Sequence, residues 1–204
     1  MSTTTARDAA RGHSSATLYE ASKQPIAIDS RIQAAWTGAR LRGPAFTVQG
    51  SGGDNLALHH GVIAAPVGSV LVVDVGGARH GHWGEVLAVA AQQRGIAGLL
   101  IDGGVRDRDE LRDLGFPVFA RNNSIVGTRK HYAGLLGEPV TVGGVTIATG
   151  DLIVGDADGV VAIPQADIER ILDAADARVA QERDFFTRLR AGASTVELYS
   201  LPGG

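Results

Sequence analysis

Two apolar runs constrain this chain most: "GSVLVVDVGG" at 68–77 and "IAGLLIDGG" at 96–104. Each is short, nearly continuous in Val, Ile and Leu, and closed by glycines. That pattern marks a strand buried on both faces rather than one that alternates between core and solvent. Between them "GEVLAVAAQQRG" (84–95) reads as a helix that stops at Gly95, so the stretch is strand, helix, strand.

The same reading extends along the chain. Residues 1–14 form a flexible lead, "ATLYEAS" a short helix, and "QPIAIDSRIQAAWTGARLRG" an irregular connection. "AFTVQ" (45–49) is a strand, and "DNLALHHGVIAA" (54–65) a helix with Asp54 as its N-cap. "RDRDELRDLG" is a short helix stopped by Gly115, and "PVFAR" a strand. From Glu138 to Pro164 the pattern is purely β, with hairpin turns at Gly143-Gly144 and Asp158-Gly159. A long amphipathic helix follows at 165–192, its apolar stripe being Ile168, Ile171, Leu172, Ala175, Val179, Phe186 and Leu189. Residues 193–204 are a tail. The expectation is a single α/β domain over 15–192, layered, with a mixed sheet and a long C-terminal helix.

Composition narrows the function. With 204 residues the chain can bury a substantial core, and with no cysteine it has no disulfide, thiolate metal site or cysteine nucleophile. A net charge of −3 gives no electrostatic case for nucleic acid or an anionic membrane. No apolar run reaches the roughly 18 residues of a transmembrane helix, and "MSTTTARDAARGHSSA" lacks the apolar segment of a signal peptide. A cytoplasmic protein is expected.

Three places could carry chemistry. The glycine-rich "GGARHGHWG" meets a helix start at Gly84-Glu85-Val86-Leu87, where free backbone N–H groups suit a small anion, although an ordinary strand-to-helix loop reads the same way. Arg106-Asp107 follows a strand end. Asp107 and Glu110 have the spacing of a capping box, while an oxygen ligand beside a guanidinium would equally suit a divalent cation and an oxo acid. Glu182 falls inside the apolar stripe of the last helix, so it is paired, reaches another surface, or sits in solvent at a frayed end. His80 and His82 offer two imidazoles on the glycine loop with no evident third ligand.

"LRGPAFTV", "GSVLVVD", "WGEVLAVAAQQRGIAGLLIDGGVRD", "GFPVFAR" and "GGVTIATGDLIVGDADGVVAIP", in this order, resemble the RraA-like superfamily. It contains 4-hydroxy-4-methyl-2-oxoglutarate/4-carboxy-4-hydroxy-2-oxoadipate aldolases and the RraA regulators of ribonuclease E. The resemblance implies an αββα sandwich of the swivelling phosphohistidine-domain kind, assembled as homotrimers or hexamers with the active site at the subunit interface. It implies that Asp107 holds Mg²⁺ or Mn²⁺ with water completing the shell, and that Arg106 contacts the substrate keto oxygen. The pyruvate carboxylate would rest on backbone amides after Gly84, those of Val86 and Leu87, with Glu85 holding a water. Glu182 would reach the neighbouring subunit's site, and Glu20 matches a second acidic residue there. The implied activity is a metal-dependent lyase that releases pyruvate from a 2-oxo acid, by aldol cleavage or oxaloacetate decarboxylation. The implied alternatives are a non-enzymatic regulator that binds a ribonuclease, and a specialised-pathway enzyme with the same metal site and another substrate. Characterised aldolases of the family carry Asp where this chain has Glu85, while many RraA-type members carry Glu. That one-methylene difference bears on cleavage of a bulky substrate more than on decarboxylation.

Overall fold

The computed structural model describes residues 12–202, so residues 1–11 of the expected lead lie outside the described residues. The two apolar runs form β3 (Val70–Asp74) and β5 (Gly98–Val105), and β5 is buried at every position. They lie side by side and parallel, with Val70 facing Gly98 and Asp74 facing Asp102. β2 (Leu41–Gln49) is longer than the sequence suggested. Its second half, Ala45–Gln49, runs parallel to β3, while its first half, Leu41–Pro44, runs antiparallel to β10 (Leu152–Gly155). β6 (Val118–Asn123) extends the parallel set beyond β5, and β11 (Val160–Ile163) pairs antiparallel with β10.

Short strands finish the sheet. β1 (Gln33–Ala34), inside the stretch expected to be irregular, edges β6. β4 (Gly81–Trp83), inside the expected glycine loop, lies along the end of β5, and β7 (Leu135–Leu136) pairs with β2. The order is β1-β6-β5-β3-β2-β10-β11, a mixed sheet. A separate hairpin joins β8 (Val140–Val142) and β9 (Val145–Ile147) through the expected Gly143-Gly144 turn.

Period-two alternation explains the layering. Leu71 and Val73 of β3, Leu99 and Ile101 of β5, and Val118 of β6 face one core. There they meet α2 (Leu56–Ala64), α3 (Glu85–Gln93) and α4 (Arg108–Leu114). The intervening residues Val70, Val72, Leu100 and Phe119 face a second core, shared with the β8–β9 hairpin and with Ile153, Val160 and Ala162. The remaining faces of β10 and β11, through Leu152, Val154, Val161 and Ile163, meet α1 (Ser15–Ser22) and α5 (Ile168–Arg190) in a third. Helices, sheet, sheet and helices stack in that order, which is the expected αββα sandwich.

Local expectations need two corrections, at the start of α2 and along α5. Asp54 does not cap α2: Asn55 takes that position, and Asp54 accepts N–H bonds from Leu56 (2.9 Å) and His131 (2.7 Å), tying a surface loop to the helix start. The stripe of α5 is buried only from Ile168 to Ala175; beyond it the helix runs past its own core, leaving Phe186 49% exposed. Residues 193–202 contain a short capped helix, α6 (Thr195–Leu198), with Tyr199 edge-on to Phe185. No helix of the described residues is long and apolar enough to cross a membrane.

Asp102 stands inside β5 and fastens the two sheet layers. Arg121 of β6 donates to both its oxygens, and Gly143 N–H of the hairpin donates to Oδ2 at 2.9 Å. Gly143 sits at φ 54, and a Cβ there would lie 2.5 Å from Ile28 Cγ2, so the hairpin closes against this carboxylate only with glycine. Burial alone would raise the Asp102 pKa; the Arg121 guanidinium and the Gly143 N–H outweigh it and hold it below the ordinary carboxylate range. A carboxyl with a lowered folded pKa contributes stability at pH above about 4, and loses it as pH falls through the folded value. Asp102→Asn is therefore expected to cost about 3 kcal/mol at pH 7. In urea unfolding at stepped pH, the gap to wild type should narrow below pH 4; a gap constant with pH would contradict this account.

Candidate active site

The parallel strands end on one edge, where open α/β sheets place ligands. β5 delivers Arg106-Asp107 there, and β4 delivers Gly84-Glu85 alongside, because Arg106 N–H donates to Trp83 O at 2.9 Å. Asp107 has a left-handed backbone, φ 57 and ψ 45, unusual for a residue other than glycine. Its side chain does not cap α4, to which it is the N-terminal neighbour, so the capping-box reading of Asp107 and Glu110 fails. Instead Asp107 Oδ2 crosses to α3 and accepts the Glu85 N–H at 3.0 Å. The carboxylate thus caps a helix distant in sequence, at the end where the backbone dipole favours negative charge.

Gly84 makes this crossing possible. A Cβ at that position would lie 2.2 Å from Asp107 Oδ2 and 3.1 Å from Arg106 Cγ. Arg106 Nε stands 3.5 Å from the same Oδ2, with both side chains partly exposed. Asp107 Oδ1 has no hydrogen-bond partner among the described residues. Val86 and Leu87, next in the first turn of α3, have no preceding helical carbonyl for their N–H groups. Arg106 and Asp107 line a cleft of about 570 Å³ with Glu110, Asn123, Ser124 and Ile125. Glu85, Val86 and Leu87 do not line it; they lie across Asp107 on the α3 side.

Gly84, Glu85, Arg106 and Asp107 therefore come together, with the Val86 and Leu87 amides beside them. Glu182 does not join them within one chain. It lies on α5 in the opposite outer layer, 3.0 Å from Arg178, and Glu20 of α1 pairs with the same guanidinium. Both acidic residues that the resemblance assigned to a neighbour's site thus share one arginine. His82 is fully buried, and its Nε2 accepts the Gly53 N–H at 3.1 Å, with burial pushing its pKa down. It fixes β4 to the loop before α2, and among the described residues no three His, Asp or Glu side chains could enclose a metal. What Asp107 offers is a single carboxylate oxygen, which fits a cation that keeps most of its water, as Mg²⁺ does. Sequence reading missed Asn123, Ser124 and Ile125 as lining; only the β5–β6 register brings them opposite Asp107.

The Aldolase/RraA family profile matches residues 6–162, and the chain belongs to this RraA-like family. It is 40% identical over 141 residues, 69% of this chain and 67% of the relative, to a Halalkalibacterium halodurans protein named "Putative 4-hydroxy-4-methyl-2-oxoglutarate aldolase". Among solved structures, an uncharacterised Pseudomonas syringae pv. tomato protein superposes with TM-score 0.85 at 28% identity, covering 95% of this chain and 92% of that one. Streptomyces coelicolor RraAS2, described as an unusual member of the RNase ES inhibitor RraA family, superposes with TM-score 0.75 at 29% identity, covering 90% and 96%.

Gly84→Ala should push the Asp107 carboxylate aside and free the Glu85 N–H, lowering stability by about 1 kcal/mol in urea unfolding. Gly127→Ala, where nothing stands within 4 Å of the added carbon, should stay within about 0.5 kcal/mol of wild type. Equal effects would show that the crossing carries no strain or bonding of consequence.

Proposed function

We propose that this chain is a lyase, dependent on Mg²⁺ or Mn²⁺, that breaks a C–C bond beside a 2-oxo acid and releases pyruvate. One observation carries the reading. Asp107 is held out of its own helix by the Glu85 N–H, with its second oxygen unengaged and Arg106 beside it on the cleft. Asp107 would hold the cation, which supplies Lewis-acid stabilisation of developing negative charge.

The chain's own residues account for the rest. The N–H groups of Val86 and Leu87, at the positive end of α3, would bind the carboxylate of the oxo acid. Arg106 would donate to its keto oxygen, where negative charge collects as the C–C bond breaks and its electrons pass into the enolate. Glu85, exposed in the first turn of α3, would take the substrate hydroxyl proton through a water and return a proton to the enolate carbon, giving pyruvate. Loss of CO₂ from oxaloacetate yields the same enolate without that hydroxyl step. Neither lysine is needed: Lys23 lies at the end of α1 and Lys130 on the loop after β6, outside the cleft lining.

A second copy of the chain would complete the site. Val86 is 77% and Ile125 92% exposed beside Asp107, while Phe186 stands free on the distal half of α5. Apolar side chains so placed suit a subunit interface, and in a trimer or hexamer Glu182 would enter the neighbour's cleft. The similarity to RraAS2 favours a second reading, a regulator that binds a ribonuclease through this rim.

Purified protein with Mg²⁺ or Mn²⁺ should release pyruvate from a 4-hydroxy-2-oxo diacid or from oxaloacetate, and lose that activity in EDTA. Asp107→Ala should abolish turnover with the fold intact, and Arg106→Ala should lower kcat by about a hundredfold. No pyruvate from either substrate would overturn the lyase. Capture of a ribonuclease that survives Arg106→Ala would then favour the regulator.

A further inference from the structure

A second cleft, of about 420 Å³, opens on the same sheet edge and shares no lining residue with the first. Arg31, Gln33, Gly77, Arg79, Arg121 and Asn122 line it. Its base is Arg121, whose side chain is only 16% exposed. Asp102 takes the Arg121 Nε and one Nη2 hydrogen, and Asp29 takes one from Nη1 at 3.2 Å. Of the five N–H groups on the guanidinium, two are left without a carboxylate, in an orientation the acidic partners fix. Arg31 stands at one rim, and Asp29 anchors it through both oxygens. Arg79 stands on the glycine loop, and its guanidinium has no partner among the described residues.

Charge decides what such a cleft takes. Three guanidiniums, Arg31, Arg79 and Arg121, face two carboxylates, Asp29 and Asp102, leaving one positive charge uncompensated. Asp29 stays ionised under its neighbours: hydrogen bonds from Arg31 hold its carboxyl well below the usual range. The lining itself contains no Asp or Glu, and its charged side chains are all arginines. We propose that this cleft is a binding site for a small oxyanion, a carboxylate or a phosphate group, gripped between Arg79 and the fixed Arg121.

The site is distinct from the one at Asp107. Asn122 of the second cleft pairs in register with Gly104 inside β5, whereas Asp107 lies past the end of that strand. One loop runs from the second cleft, which Gly77 and Arg79 line, to Gly84 beside Asp107. Arg79 lies on it, its carbonyl held by Ser124 Oγ at 2.9 Å, and the same segment ends at Gly84 against Asp107. An anion drawn to Arg79 would tether this loop from the side opposite the first cleft.

Calorimetric titration with inorganic phosphate and with succinate, at constant ionic strength in chloride, tests the proposal. At least one probe should bind saturably. Binding should weaken about tenfold or more in Arg79→Ala, as loss of a charged hydrogen bond requires, and should persist in Asp107→Ala, which separates it from the lyase reading. The tighter probe identifies the oxyanion class. Neither probe binding above the chloride background, binding that survives Arg79→Ala, or binding lost in Asp107→Ala would each overturn the proposal.

Discussion

The Asp107 carboxylate accepts the first N–H of a helix that begins 22 residues earlier in the chain. This bond joins two strand ends that would otherwise present separate loops. It sets a carboxylate against a helix N-terminus, where the backbone dipole favours negative charge, and holds it there. A left-handed backbone at Asp107 and a glycine at 84 are the local conditions for it. Both are costs, and both recur where a fold holds groups for chemistry rather than for packing.

What makes that bond possible is the layering beneath it. β5 is buried at every position because α-helices cover one face and a second sheet layer covers the other. A strand held on both sides has little freedom at its end, and Arg106-Asp107 emerge from it in a fixed direction. Asp102, lower on the same strand, locks the covering hairpin through Gly143 and fixes Arg121. Two acidic residues, one inside β5 and one just past its end, thus do different work. One faces inward and binds layers together; the other faces the cleft.

Much of this was legible in the residues. The continuous Val/Ile/Leu runs announced strands covered on both faces, and the glycines at 95, 115 and 143–144 marked stops that the structure keeps. Arg106, Asp107 and Gly84-Glu85 were singled out from helix starts and glycine spacing, and the structure brings them together. What sequence could not show depends on pairing across strands. The Asp102–Arg121 pair needs the β5–β6 register, and the lining from Asn123 to Ile125 needs it as well. At Asp107 the Asp-x-x-Glu spacing left a cap for its own helix open beside the ligand reading, and a distant N–H took the carboxylate instead. Glu182 was expected inside an apolar stripe; the helix outruns its core there, and Arg178 neutralises the charge.

The central claim is that Asp107 presents a free carboxylate oxygen to a divalent cation. Titration of Mn²⁺ followed by electron paramagnetic resonance, on wild type and on Asp107→Ala, reads this directly without relying on turnover. The account predicts one Mn²⁺ bound per chain in wild type, tightened by pyruvate, and none in the variant. Equal binding in both proteins, or no binding in either, would contradict it.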